Sequence, residues 1–394
     1  MPHPPIRTSR RAFLGMTGAA LAAPGLLCAG TPALEVISGP AFATTWRLAL
    51  PAGAGAERLR APIAARLAGI DAQMSPWRAD SAVSRFNRAG AGEHPLPAET
   101  ALVARSALGI AAASGGRFDP TVGPLVARWG FGPITGEGAP DWHGLGFGAG
   151  HGTKARAGLT LDLCGIAKGR ALDAIAALVR SAGHDDFLID LGGELAGHGT
   201  HPSGRPWQVA VEDPRPDANG TAAVLRLAGM AVATSGGRAQ SFGAGARSYS
   251  HIIDPRTAEP VAGDLASVSV MAPSAMLADG WATALAAAGA TDGPALARRH
   301  GLSALFLIRE GAGLRHEARA TPPAICYDAP DGKGARMEVI FAIGIFVLAA
   351  GGLALGLAFG KGPVQTSCGG MSCIGKGACD TCPNRADSER AGRT

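Results

Sequence analysis

The chain has 394 residues and a formal charge of +5; 47% are hydrophobic and only 5% aromatic, while 58 are glycine and 28 proline. This composition excludes a disordered chain and predicts a turn-rich globular protein, long enough for one large domain or two smaller ones. The positive charge is not gathered into runs interleaved with aromatics, so nucleic acid is set aside as a partner.

Residues 1–33 have the anatomy of an export leader. Arg7, Arg10 and Arg11 precede an apolar stretch from Ala12 to Ala29, followed by small residues. Ser9-Arg10-Arg11-Ala12-Phe13-Leu14 fits the twin-arginine pattern that marks export of a folded protein; an ordinary secretory signal or an uncleaved anchor is the plainer alternative. Cys28 raises the question of lipidation, but Leu27 before it is large for such a site.

From residue 34 to 320 the pattern predicts an α+β domain. "TTWRLALP" (44–51) reads as a strand, and the stretch from Glu57 to Ala72 sets Leu59, Ile63, Leu67 and Ile70 on one helical face. Pro97 to Ser114 is a second helix, ended by Gly115-Gly116. "LTLDL" (159–163) reads as a strand running into a glycine turn, with a helix from Ala167 to Ala182. Short strands follow at "DFLIDLGG", "PWQVAVEDP", "AAVLRLAG", "VATSGG", "SHIIDP" and "SVSVMAP", then helices at Met276–Ala288 and around Ala295–His300 and a strand at Ala304–Ile308. Residues 321–337 are rich in proline and glycine and form a linker.

Residues 338–360 are a predicted transmembrane helix. Val339 to Phe359 is 21 residues without a charge, roughly 30 Å of helix and the thickness of a bilayer core. The tail, 361–394, holds four of the seven cysteines: Cys368, Cys373, Cys379 and Cys382. If the leader exports the body, the span returns the chain to the cytoplasm, in line with Lys361, Lys376, Arg385, Arg390 and Arg393 beyond it. Thiols there stay reduced, and their spacing suits Zn²⁺, iron or an iron–sulfur cluster; palmitoylated or unligated cysteines are the bland alternative.

Three local motifs carry chemistry. "GGRFDPTVGPLVARWGFG" (115–132) surrounds Asp119 with glycine and proline. "LDLCGIAKGRALD" (161–173) places Asp162 before a tight turn and Lys168 at a helix start, where backbone N–H groups and an ammonium can hold phosphate. "LADGWATAL" (277–285) sets Asp279 and Thr283 at i and i+4, a hard-oxygen pair suited to Mg²⁺ beside a substrate phosphate. Taken singly, the motifs are better read as turn, cap and core.

With "GPAFATTW", "IDAQMSPWRADSAVSRFN", "LIDLGGELAGHG", "AVATSGG" and "SHIIDPRTAEP" in the same order, these segments resemble the ApbE-like FAD:protein FMN transferases over residues 36 to 310. The resemblance implies a T-fold-like α+β enzyme that uses Mg²⁺, splits FAD at its pyrophosphate, attaches FMN to a threonine hydroxyl of a target protein and releases AMP. It implies a metal site at Asp279, Thr283 and the Gly165 carbonyl. It implies FAD contacts at Phe42, Trp77, Arg117, Phe118, Asp119, Asp162, Lys168 and the Ile253 backbone, and His251 as the group that assists removal of the threonine proton. Histidine titrates close enough to neutrality for that task. The chain departs from the family pattern at Phe42-Ala43, at Ala258 in place of a glycine, and at Cys164 in place of a small residue.

Met337 to about Arg385 resembles NqrM, a membrane protein for maturation of the Na⁺-translocating NADH:quinone reductase. That likeness implies iron handling by the tail and flavin-acceptor subunits of the Na⁺-NQR or Rnf type as partners. The enzyme domain would then stand in the periplasm, held at the inner membrane, with the tail in the cytoplasm. A non-catalytic flavin-binding assembly scaffold and an FAD pyrophosphatase giving FMN and AMP are the competing functions.

Overall fold

The structure is a computed structural model describing residues 33–319, apart from 137, 216–217, 219, 238–240 and 245–246. The predicted linker, membrane span and cysteine tail, and the leader up to residue 32, lie outside the described residues. No helix among the described residues is long and apolar enough to cross a membrane.

The chain opens with a hairpin, β1 (Leu34–Ala41) and β2 (Thr44–Pro51). A 3₁₀ turn at Ala56–Leu59 leads into α1 (Arg60–Met74), followed by α2 (Ala82–Arg88), β3 (Gly92–Pro95) and α3 (Ala98–Ala113). Then come α4 (Gly123–Arg128), β4 (Leu145–Phe147), β5 (His151–Lys154) and α5 (Ala167–Ser181). The strands β6 (Phe187–Leu191), β7 (Glu194–His198), β8 (Trp207–Glu212), β9 (Thr221–Leu227) and β10 (Ala231–Gly236) form the middle of the chain. Two small antiparallel pairs follow, β11 (Ser241–Ala244) with β12 (Arg247–Ser250), and β13 (Ile253–Asp254) with β14 (Glu259–Pro260). The fold closes with β15 (Leu265–Ala272), α6 (Ala275–Arg299), β16 (Ser303–Glu310) and β17 (Gly313–Arg319).

Eight strands make one antiparallel sheet in the order β1-β2-β6-β7-β10-β15-β16-β17. Its central strands are covered on both faces, which explains why "SALFLI" is continuously apolar instead of alternating. Phe306 and Ile308 of β16 pack with Val268, Val270 and the Leu285 region of α6. Leu305 and Leu307, one residue out of phase, pack with Trp207, Val209, Leu225 and Leu227 of the β8–β9 hairpin. Toward β1 the same helical layer continues as Ile63, Leu67 and Ile70 of α1 and Leu172, Ile175 and Val179 of α5, set against Leu48, Leu50, Ile189 and Leu191. The expected α+β class is observed.

One predicted strand is not a strand. In "LTLDL" Leu159, Leu161 and Leu163 are buried, and so is Thr160 between them, so the burial does not alternate. The segment joins no sheet, because its backbone is satisfied elsewhere: the Leu161 N–H donates to Asn87 Oδ1 at 2.7 Å and the Asp162 N–H to the Pro120 carbonyl at 2.7 Å. The two helices expected at Met276–Ala288 and Ala295–His300 are observed as the two halves of α6, parted by non-helical geometry at Gly289 (φ 76°, ψ −173°).

Candidate active site

The site is organised by a close crossing of two helix starts. Gly169, in the first turn of α5, lies so near the start of α6 that a Cβ there would stand 2.2 Å from the Ala275 carbonyl oxygen. Only glycine permits that approach. The helices cap one another across it. Asp173 of α5 accepts from Ser274 Oγ at 2.7 Å and from the N–H groups of Ala275 (2.7 Å) and Met276 (3.1 Å). In return Asp279 of α6 accepts the Gly169 N–H on Oδ2 at 2.9 Å. Each carboxylate satisfies donors that the other helix leaves open.

Around Asp279 the structure gathers several of the predicted residues. Thr283, one turn along α6, donates through Oγ1 to the Gly165 carbonyl at 3.3 Å. The Gly165 Cα faces Thr283 Oγ1 and the ring edge of Phe118 closely enough that a Cβ would meet them at 3.0 and 3.2 Å. Asp162 closes the same turn by accepting the Cys164 N–H at 2.9 Å, and its own N–H ties it to the Pro120 carbonyl next to Asp119. Asp119 accepts the Thr121 N–H at 2.7 Å and its hydroxyl at 2.6 Å, holding that loop folded. Lys168 reaches Glu194 Oε1 at 2.6 Å.

The electrostatics of this cluster are uneven. Burial raises the Asp279 carboxyl above its usual range, with Lys168 and the Gly169 N–H pulling the other way. Glu194 is pushed up to about 7 by burial and by the Asp279 carboxylate, against the pull of Lys168. Burial alone would lower Lys168, but Glu194 and Asp279 outweigh it and hold the ammonium above the ordinary lysine range. Asp119 and Asp162 are both raised, chiefly by burial. The Cys164 side chain reaches the surface, yet desolvation of its thiol and the Asp162 and Asp279 carboxylates beside it push its pKa well up, so it stays a thiol.

Other predicted residues stand further out. Phe42 occupies the two-residue β1–β2 turn, half-buried against the core. That turn meets the β6–β7 turn, where the Gly192 N–H donates to the Thr45 carbonyl at 3.2 Å, two residues before Glu194. Trp77, between α1 and α2, is 69% exposed. Ile253 is buried in the β13–β14 pair, and His251 is half-buried with its ring edge-on to Phe131 at 6.3 Å between centroids. Arg117 does not point into the open: its side chain is 12% exposed and engaged with Asp254, Asp292 and the Ala287 carbonyl.

The family model described as the ApbE family matches residues 42–306. The chain belongs to the ApbE family. It is 33% identical over 334 residues to the FAD:protein FMN transferase of Klebsiella pneumoniae, covering 76% of this chain and 93% of that one. It is 33% identical over 306 residues to the Salmonella typhimurium FAD:protein FMN transferase, covering 72% and 87%. Among solved structures, the flavin transferase ApbE from Vibrio cholerae superposes with a TM-score of 0.65 at 31% identity over 73% of this chain and 97% of that one. The apo flavinyl transferase ApbE of Pseudomonas stutzeri gives 0.66 at 33% identity over 73% and 94%.

The ApbE resemblance implies Mg²⁺ among Asp279, Thr283 and Gly165, and the local chemistry fits. The donors are all oxygen: a carboxylate, a hydroxyl and a backbone carbonyl. Among the described residues Asp279 Oδ1 takes no hydrogen bond, while Glu194 Oε2 is buried without a partner. Two carboxyl groups, those of Glu194 and Asp279, face the ammonium of Lys168, an imbalance that a divalent cation relieves.

Glu194 is the residue that sequence reasoning missed. "LGGELAGH" reads as a turn leading to a strand, and a glutamate after Gly-Gly looks like a turn residue. Its side chain is instead almost fully buried, at 5% exposed. The available signal was an acidic residue at an inward position of an otherwise uncharged strand.

Proposed function

We propose that this chain is an exported, Mg²⁺-dependent FAD:protein FMN transferase. The observation that carries the reading is the oxygen set of Asp279, Thr283 and Gly165 placed by the α5–α6 crossing against Lys168 and Asp162, in a chain of the ApbE family. The threonine hydroxyl oxygen of the acceptor attacks the FMN-side phosphorus of FAD. The bond from that phosphorus to the bridging oxygen breaks, and AMP leaves with that oxygen. His251 takes the hydroxyl proton on its imidazole. Lys168 and the N–H groups at the start of α5 hold the pyrophosphate, and the exposed face of Trp77 offers an apolar surface on which a flavin or adenine ring can stack. When bound at Asp279, Thr283 and the Gly165 carbonyl, Mg²⁺ supplies neutralisation of the pyrophosphate charge that otherwise repels a hydroxyl.

The reading extends to the ends of the chain on sequence grounds. The leader exports the domain to the periplasm, residues 338–360 hold it at the inner membrane, and the NqrM-like tail handles iron on Cys368, Cys373, Cys379 and Cys382 in the cytoplasm. The acceptors are then subunits of a Na⁺-NQR or Rnf-type complex, matured with flavin on one side of the membrane and iron on the other.

The test mixes the protein with FAD, Mg²⁺ and the threonine-bearing acceptor subunit, and weighs that subunit by mass spectrometry while AMP is measured. A mass gain of one FMN with one AMP released per label is expected. AMP without label would make the chain an FAD pyrophosphatase. FAD binding with neither product would make it a flavin-binding scaffold.

A further inference from the structure

Two segments far apart in sequence, 115–132 and 251–260, are tied together in three places. Arg117 Nη1 donates to Asp254 Oδ2 at 3.1 Å, Trp129 Nε1 donates to the Ala258 carbonyl at 3.1 Å, and Phe131 lies edge-on to His251. The second segment is the β13–β14 hairpin together with the histidine just before it. Asp254 also shapes that hairpin from within, accepting the Arg256 N–H on Oδ1 at 3.0 Å and the Ala258 N–H on its carbonyl at 2.9 Å.

Arg117 faces a third element as well. It donates to the Ala287 carbonyl at 3.3 Å and pairs with Asp292 at 2.5 Å. These two residues flank Gly289, where α6 breaks. Ala287 ends the half of α6 that carries Asp279 and Thr283, and Asp292 begins the half beyond the break. A cation set between the carbonyl end of one helical segment and an acid opening the next is favoured by both. One planar guanidinium therefore spans the histidine hairpin, the Asp279–Thr283 half-helix and the half-helix after it, a geometry that suits arginine's fork and not a lysine ammonium.

We propose that Arg117 is a positioning residue: it sets His251 against the Asp279–Thr283 end of α6, and it does so without contacting FAD. The inference rests on the transferase reading above. It departs from the sequence expectation, which placed Arg117 among the FAD contacts. Asp254, Asp292 and the Ala287 carbonyl occupy its guanidinium, and its side chain is largely covered.

The experiment uses the full chain and three variants, Arg117→Gln, Asp254→Asn and Arg117→Gln/Asp254→Asn. FMN transfer is followed as kcat and as KM for FAD, and backbone hydrogen exchange is followed by mass spectrometry. Arg117→Gln is expected to lower kcat about tenfold or more while KM for FAD stays within about twofold, and to speed exchange in both 251–260 and 286–292. Asp254→Asn should reproduce the fall in kcat but loosen only 251–260. The double variant should be no worse than Arg117→Gln, because both substitutions break one junction. A tenfold rise in KM with kcat held would make Arg117 an FAD contact and overturn the proposal. In Arg117→Gln, faster exchange in only one of the two segments would overturn it too, as would unchanged kcat in Asp254→Asn. If Arg117→Gln does not fold, Asp254→Asn and Asp292→Asn each remove one arm and carry the same comparison. If the wild-type chain labels no acceptor, the transferase reading fails, and the exchange pattern alone decides the junction.

Discussion

Asp279 has two carboxylate oxygens with different duties. Oδ2 holds the start of α5 through the Gly169 N–H, while Oδ1 takes no hydrogen bond among the described residues. Two substitutions separate the roles. In Asp279→Asn the amide oxygen still accepts from Gly169, so the fold should hold to within about 1 kcal/mol, while transfer falls on the order of a hundredfold or more for want of a charged metal ligand. Asp279→Ala leaves the Gly169 donor buried and unmet, so it should lose transfer equally and also cost about 1–3 kcal/mol of stability. Urea unfolding beside the mass-spectrometric transfer assay reads both effects. Equal stability of the two variants would show that the capping bond carries no weight.

Glu194 gives the pH dependence. Its folded pKa of about 7 lies above the ordinary glutamate value of 4.5, so between those values the folded state holds a proton that the unfolded state has released. That contribution is fully present below about pH 4.5, is lost as pH rises toward 7, and leaves an ionised buried carboxylate above it. In metal-free protein, Glu194→Gln should therefore become more stable relative to wild type as pH is raised from 5 to 8. Added Mg²⁺ should flatten that trend by favouring the ionised form. Thermal melts across this range in chelator and in Mg²⁺ make the measurement, and a trend of opposite sign would remove Glu194 from the site. This residue escaped sequence reasoning because its partner Lys168 is 26 positions away and meets it only once α5 packs on the sheet. Asp279, Thr283 and Lys168 were named only through the ApbE resemblance, since within their own segments they read better as turn, cap and core.

At the scale of elements, legibility followed local pattern. The helices α1, α3, α5 and α6 and the apolar strands were readable from period and caps. The short helices α2 and α4 and the strands β1 and β17 were not, since β1 and β17 lie at the sheet edges, where one-sided packing leaves a weaker pattern. The turns tell a similar story. Phe42 (φ 49°), Ala43 (φ 58°) and Ala258 (φ 60°) are the three non-glycine residues at positive φ among those described. Each pays the steric cost of a Cβ in the left-handed region. Ala258 is the informative case, because its carbonyl receives the Trp129 indole and so fixes the β13–β14 turn that follows His251. Ala258→Gly should relieve the strain and stabilise the protein by about 0.5–1 kcal/mol, raising the melting midpoint by about 2 °C. Transfer should be unchanged, since the turn keeps its shape. A fall in the midpoint would show that stiffness of the alanine in the unfolded chain outweighs strain in the folded one.

At the scale of the whole chain, the proposed topology places its parts in different compartments. The argument is electrostatic: with an exported body, an uncharged run of 21 residues followed by Lys361, Lys376 and Arg385 returns a positively charged tail to the cytoplasm. The cysteines make this measurable, because four lie in the tail and the described domain contributes only Cys164. Cys164 is a slow target, its thiol held protonated by desolvation and neighbouring carboxylates. A membrane-impermeant maleimide applied to intact spheroplasts should therefore leave Cys368, Cys373, Cys379 and Cys382 unlabelled, and label them once the membrane is opened with detergent. Protease added to the same spheroplasts should degrade the domain and spare the tail. Labelling of the tail before detergent would put it outside, where thiols oxidise and iron handling loses its reducing compartment. Protection of both parts would mean that the leader does not export the domain. Flavin transfer would then have to occur on cytoplasmic faces of its acceptors, and the coupling of periplasmic flavin with cytoplasmic iron would be lost while the chemistry of Asp279 and His251 stood unchanged.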